Sequence, residues 1–255
     1  MGRTLGLIAD RVDAASHECE VAANEVISPG LRRLVLRSPE LVGLTTDPCD
    51  VTAFRVSRTD FRHYTPALLD ETSDGSAEVT IVVQRHGDGV ADDVPTPGHD
   101  LVEALTADDD VRLCQWSSTR AFHWTTEERP VLLLGDATVI SLALAMDRRA
   151  RAEGRDLMTV LEVPAPDVGA VRGLLPEAVV VAAGDEPGSA TDAWLAVNLV
   201  ALRALGRQGA VEPVAHLAGH GPSIQRHRAF LREHVGLDRR SIRTQPYWAP
   251  DKAGL

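Results

Sequence analysis

Along the first half of the chain apolar and polar residues alternate in short runs. Cys19 to Ile27 and Leu31 to Arg37 flank Pro29-Gly30, which predicts two antiparallel strands joined by a turn. Val51 to Ser57, Tyr64 to Leu69, Val79 to Arg85 and Val111 to Gln115 read as further strands, divided by acidic or Gly/Pro-containing loops such as Asp88 to Gly98. Strands so short and so evenly spaced predict an antiparallel barrel or sandwich.

Beyond the polar stretch Thr125 to Pro130 the period changes. A continuous apolar run, Val131 to Leu134, precedes a helical pattern from about Val139 to Glu153. The runs Leu157 to Val163, Ala178 to Ala183 and Pro213 to Ala218 then alternate with helical segments near Asp167 to Leu174 and Thr191 to Leu205. A helix from Pro222 to Val235 stops at Gly236, and Ser241 to Gln245 supplies the last strand. Apolar runs separated by helices predict a parallel sheet covered on both faces. The expected fold class is all-β plus α/β: an antiparallel six-stranded β-barrel over residues 1–128 and a parallel α/β domain over residues 129–255.

Composition narrows the function. With 255 residues the chain is long enough for two cores, and 44% apolar with 25% charged residues is the balance of a folded protein. A net charge of −11 argues against a bulk electrostatic grip on nucleic acid or anionic lipid. Cys19, Cys49 and Cys114 are odd in number and far apart, which fits a reducing compartment. No apolar run reaches the roughly 18 residues of a membrane span, and the first residues lack a signal-peptide core, so a cytoplasmic protein without a membrane span is expected.

The turn Gly135-Asp136-Ala137-Thr138-Val139-Ile140 opens the α/β half where dinucleotide folds place G-x-G-x-x-G, and those glycines are missing. No P-loop, H-E-x-x-H or G-x-S-x-G occurs. His216 and His220 are four apart but straddle Ala218-Gly219, where a strand is predicted to give way to a helix, so no metal pair is expected. The segment Phe61-Arg62-His63-Tyr64-Thr65-Pro66 is richer: on a barrel strand it offers a cation for phosphate, a flat ring for stacking and a hydroxyl for a flavin edge.

Taken in order, Glu25 to Leu36, Arg62-His63-Tyr64-Thr65, His86-Gly87-Asp88-Gly89, Leu132 to Asp136 with Glu162-Val163, Gly184 to Gly188, Leu217-Ala218-Gly219, Gly236 to Arg239 and Tyr247-Trp248 resemble the siderophore-interacting protein family. The resemblance runs from about residue 18 to 250. It implies an FAD-dependent reductase, linked to NADPH, NADH or ferredoxin, that delivers electrons to the ferric iron of a siderophore. It also implies roles: Arg62, Tyr64 and Thr65 hold the flavin, His86 and Gly87 lie along its phosphates, Gly135 and Asp136 meet the nicotinamide cofactor, and Tyr247-Trp248 are the C-terminal aromatic pair.

The departures from the family pattern cluster at the cofactor positions. Ala67 stands where a second flavin cation is usual, Ala137 and His220 replace carboxylates, and Asp88, Asp92 and Asp93 make the segment after His86-Gly87 acidic. These changes motivate a second expectation, a family member without FAD that carries out a cofactor-free cyclisation, elimination or isomerisation of an organic natural-product intermediate. Its substrate residues would be His63, Trp116, His123, Trp124 and His220: His63, His86, His123, Asp136 and His220 are the candidate acid/base or orienting groups, and Trp116 and Trp124 form the cleft walls. A ligand-binding protein with no reactive group is a third. The basic C-terminal residues Arg226, His227, Arg228, Arg232, Arg239, Arg240 and Arg243 fit either an anion site or a solvated face.

Overall fold

The computed structural model describes residues 2–85, 97–114, 118–119, 121–205 and 212–250. The chain forms two compact units, Met1–Thr119 and Arg120–Leu255. The division falls before the expected boundary at 128 because Phe122 and Trp124 bury their rings against His216 in the second unit.

The first unit opens on a helix that the sequence reading leaves out, α1 (Gly2–Ala14). There follow β1 (His17–Ser28), β2 (Leu31–Ser38), β3 (Thr52–Arg55), β4 (Phe61–Tyr64), β5 (Leu68–Glu71), β6 (Ala77–Gln84), a helix α2 (Pro97–Ala104) and β7 (Asp110–Leu113). Five strands make an antiparallel sheet in the order β5-β6-β2-β1-β7, and β3 pairs with β4. The expected strand Tyr64 to Leu69 is therefore two, β4 and β5, split at Pro66, which has no N–H for a ladder. The described residues of the first unit thus hold the expected antiparallel sheet, with this run counted as two short strands. Alternate positions of β6, Ala77, Val79, Ile81 and Val83, are buried with Leu34, Leu36, Leu41, Phe54 and Leu113 in one core. Full burial of each large aliphatic or aromatic side chain there contributes roughly 2–3 kcal/mol.

The second unit contains β8 (Val131–Asp136), α3 (Ile140–Glu153), β9 (Leu157–Val163), α4 (Val168–Leu174), β10 (Val179–Ala182), α5 (Ser189–Val197), α6 (Leu199–Leu205), β11 (Val214–His220), α7 (Gly221–Phe230) and β12 (Ile242–Trp248). Its sheet is parallel throughout, in the order β10-β9-β8-β11-β12. The expected helix 191–205 is broken at Asn198, whose side-chain amide donates to the Trp194 carbonyl at 2.8 Å and ends α5. The strand β11 runs past Ala218-Gly219 to His220, so His216 and His220 share one strand. Residues four apart on a strand lie roughly 13 Å from each other, too far for one metal ion. Among the described residues no helix is long and apolar enough to cross a membrane, and no cluster of metal-ligating side chains occurs.

Candidate functional site

The second sheet reverses its strand order between β8 and β11, with β9 and β10 on one side and β12 on the other. In open α/β sheets a crevice forms beyond the carboxyl ends of the two strands at such a reversal, and ligands bind there. Asp136 ends β8, His220 ends β11, Trp248 ends β12, and Glu162 lies one residue before the end of β9. The topology thus brings the ends of four strands to one edge.

Asp136 is saturated by its own chain. One carboxylate oxygen accepts the Thr138 N–H at 2.9 Å and the Thr138 hydroxyl. The other accepts the His220 N–H at 2.8 Å and the Trp248 indole N–H at 2.9 Å. A β-bulge after Gly219 sets Trp248 opposite His220 and lets the two rings pack at 4.4 Å. Gly219 has φ +108°, and a Cβ on it would fall 2.5 Å from the Asp136 carboxylate. Gly219→Ala is therefore expected to lower stability by about 2 kcal/mol or more, read as a lower thermal midpoint. An unchanged midpoint would mean that Asp136 can leave its position without loss.

Glu162 does for α5 what Asp136 does for the loop after β8. It is buried, and its two oxygens accept the Gly188 N–H at 2.7 Å and the Thr191 N–H at 2.9 Å. A carboxylate at a helix N-terminus satisfies orphan donors and meets the positive end of the helix dipole. Those backbone donors are what a dinucleotide pyrophosphate uses in related folds. Here the chain's own carboxylates hold them. The crevice, lined by Gly135, Asp136, Glu162, Gly188, Thr191, Ala218, His220, Ser223, Ile224 and His227, encloses about 10 Å³ for the centre of a water-sized sphere, room for about one water. The backbone donors of Gly188, Thr191, Thr138 and His220 are thus already occupied by Glu162 and Asp136.

His220 is 6% exposed and its tautomer is set by neighbours. The Ser223 hydroxyl lies 2.6 Å from the Pro187 carbonyl, to which it must donate its single proton. His220 Nδ1, 2.7 Å from the same hydroxyl, is then the donor, and Nε2 carries a lone pair. Burial holds the imidazole below its ordinary pKa and Arg226 adds to that, while Asp136 and Glu162 pull the other way. Arg226 itself bonds Asp192 at 3.0 Å and the Pro187 carbonyl at 2.7 Å, so it braces the 187–192 segment.

The flavin-like segment lies in the first unit. On β4, Arg62 stands opposite Phe54 and Tyr64 opposite Thr52, so Arg62 and Tyr64 share the face that carries buried Phe54. Tyr64 packs its ring on Phe54 at 5.4 Å, and burial pushes its phenol up to about 12. Thr65 is buried and His63 is exposed on the opposite face. The first turn of α2 comes down on this pair. A Cβ on Gly98 would sit 2.6 Å from the Tyr64 hydroxyl and 3.0 Å from Arg62 Cγ, so only glycine permits the approach. The α2 N-terminus thus lies against the Arg62 stem and the Tyr64 hydroxyl, while the Arg62 guanidinium donates to the Phe61 carbonyl at 3.1 Å; a helix N-terminus, a cation, an aromatic ring and a buried hydroxyl are groups that a flavin nucleotide uses.

The remaining candidates separate. Trp124 is a packing residue: its indole donates to Glu153 at 3.1 Å and Arg155 lies over its ring. His123 offers its carbonyl to His216 at 3.1 Å and to Arg243. Tyr247 is half-buried on β12. His86, Gly87 and Trp116 lie outside the described residues, as do Asp88, Asp92 and Asp93. Glu162, Thr191 and Ser223 were not anticipated as site residues, since only the folded sheet edge gathers them.

No family model and no curated protein sequence matches the chain. Solved structures do. The FAD/NAD-binding domain of a nitric oxide dioxygenase from Vibrio cholerae O1 biovar El Tor superposes with a TM-score of 0.66 at 16% identity, over 92% of this chain and 100% of that one. The siderophore-interacting protein from Acinetobacter baumannii gives 0.64 at 16% identity over 91% and 89%. A siderophore utilization protein from T. fusca gives 0.61 at 19% identity over 94% and 95%. The fold is that of ferredoxin-reductase-like FAD/NAD-binding modules and siderophore-interacting proteins.

Proposed function

We propose that this chain is a flavin-dependent oxidoreductase of the ferric-siderophore reductase kind, holding FAD on its first unit. The observation that carries the reading is the approach of α2 to β4 at Gly98, which sets a helix N-terminus beside Arg62 and Tyr64. Arg62 would pair with the pyrophosphate, the Tyr64 ring would lie against the flavin, and the Thr65 hydroxyl would meet its polar edge. The Tyr64 phenol, pushed up to about 12 by burial, stays uncharged well into the alkaline range. Bound FAD would supply the electron transfer to ferric iron; the protein supplies placement. The small-molecule substrate is a ferric siderophore. The self-capped edge of the second sheet favours a ferredoxin-type protein donor over NADPH or NADH.

The test is the visible spectrum of the protein after soaking with FAD and removing the excess. The wild type is expected to keep the flavin band. Arg62→Ala is expected to bind FAD at least about tenfold more weakly, the loss of one charge-assisted phosphate contact. Reduced ferredoxin should bleach the band faster than NADPH. A wild type that retains no flavin, or an Arg62→Ala protein that retains as much as the wild type, would overturn the assignment.

A further inference from the structure

Two buried polar atoms in the crevice of the second unit have no hydrogen-bond partner among the described residues: His220 Nε2 and Thr191 Oγ1. Their residues are 6% and 1% exposed, and both line the same small cavity. An unpaired buried polar atom carries a desolvation cost that a ligand or a water relieves. Neither atom belongs to the flavin segment.

The chemistry of the pair says what it accepts. Because Ser223 gives its proton to the Pro187 carbonyl, His220 must donate from Nδ1 and present a lone pair at Nε2. Thr191 Oγ1 can accept or donate. The other titratable groups lining the space are Asp136, Glu162 and His227, and burial pushes the His227 imidazole down against the pull of Asp192; Arg226, outside the lining, is paired with Asp192. Asp136 has two donors on each oxygen, whereas each Glu162 oxygen holds one backbone N–H and has a second lone pair open. Acceptors therefore outnumber donors, and the local charge is negative. A phosphate or carboxylate meets repulsion here, whereas a compact cationic donor meets partners.

We propose that His220 Nε2 and Thr191 Oγ1 form a subsite for a protonated primary amine, the ammonium tip of a small ligand seated beside Glu162. The space, about 10 Å³ for the centre of a water-sized sphere, takes a group of ammonium size, and the crevice is open on one side for the carbon that carries it. The neutral state of His220 that this needs is favoured by its burial.

The test is side-chain nitrogen NMR on histidine-labelled full-length protein at neutral pH, titrated with methylammonium chloride, tetramethylammonium chloride and inorganic phosphate. The free protein is expected to show His220 protonated on Nδ1 and bare on Nε2. Methylammonium should move the Nε2 resonance saturably, and Thr191→Val, close in shape, should weaken that response about tenfold. Tetramethylammonium, with the same charge and no N–H, should leave the signal in place, as should phosphate. A proton on Nε2 in the free protein, an equal response to tetramethylammonium, a response to phosphate, or no response to any probe would each overturn the proposal. The last would mean that the cavity holds a trapped water only.

Discussion

Asp136→Ala is expected to destabilise the second unit by roughly 4 kcal/mol, since it removes hydrogen bonds to a charged acceptor and leaves several donors unpaired. Four donors converge on that carboxylate, from Thr138, His220 and Trp248, which belong to three different stretches of chain. Asn is no remedy. Its oxygen can keep the Thr138 pair, but its amide then points two N–H groups at the His220 N–H and the Trp248 indole. Asp136→Asn should therefore lose roughly half as much as Asp136→Ala. Urea unfolding followed by tryptophan fluorescence measures both. Values for both variants within about 0.5 kcal/mol of wild type would show that the carboxylate does not hold the sheet edge together.

The second large effect is on acid stability. His216 is fully buried in β11, with Phe122 edge-on at 5.3 Å and Trp124 stacked at 6.4 Å. Its Nε2 donates to the His123 carbonyl, and Nδ1 has no partner among the described residues. Burial holds its pKa down to about 4, with the hydrogen bond to the His123 carbonyl opposing and Arg243 and Arg155 adding to the fall. The folded pKa lies below the unfolded one, so the unfolded chain binds the proton first. Stability from this group is complete above about pH 6.5 and falls as pH drops toward 4. Integrated over that window the loss is about 3 kcal/mol. His216→Phe keeps a ring in the slot, and the His123 carbonyl still accepts from Arg243. Unfolding free energies at pH 7 and pH 4 should differ by about 3 kcal/mol less in His216→Phe than in wild type. Parallel pH profiles for the two proteins would show that His216 takes up its proton without cost.

The legibility of the fold follows from how its strands are buried. Strands in the centre of a parallel sheet are covered on both faces, so they read as unbroken apolar runs, and Leu157–Val163 has the bounds expected of it. The first unit was harder. Pro66 sits inside an otherwise strand-like run and divides it, while α1 begins at Gly2 and includes Gly6, poor helix formers that mask a helical spacing. Phe61 to Tyr64 are contiguous in sequence and lie on one strand, β4, so their sharing of a strand was legible in the sequence. The crevice was not. Asp136, Glu162, Thr191, His220 and Ser223 come from separate strand and helix ends, and no local pattern announces that they meet. Trp124 was expected in a cleft wall because of its size, whereas its indole N–H and ring face are both taken by neighbours. Large aromatic residues carry the same sequence signal whether they line a cavity or fill a core.

The indole that completes the Asp136 cluster comes from a residue 112 positions further along the chain. During synthesis β8 and β9 can pair early, yet the edge they share lacks one donor until Trp248 has been made and has cleared the ribosome. The closure of this edge therefore comes after the pairing of β8 with β9, and a nascent chain arrested before β12 would lack the Trp248 indole at the Asp136 carboxylate and the Trp248 ring against His220.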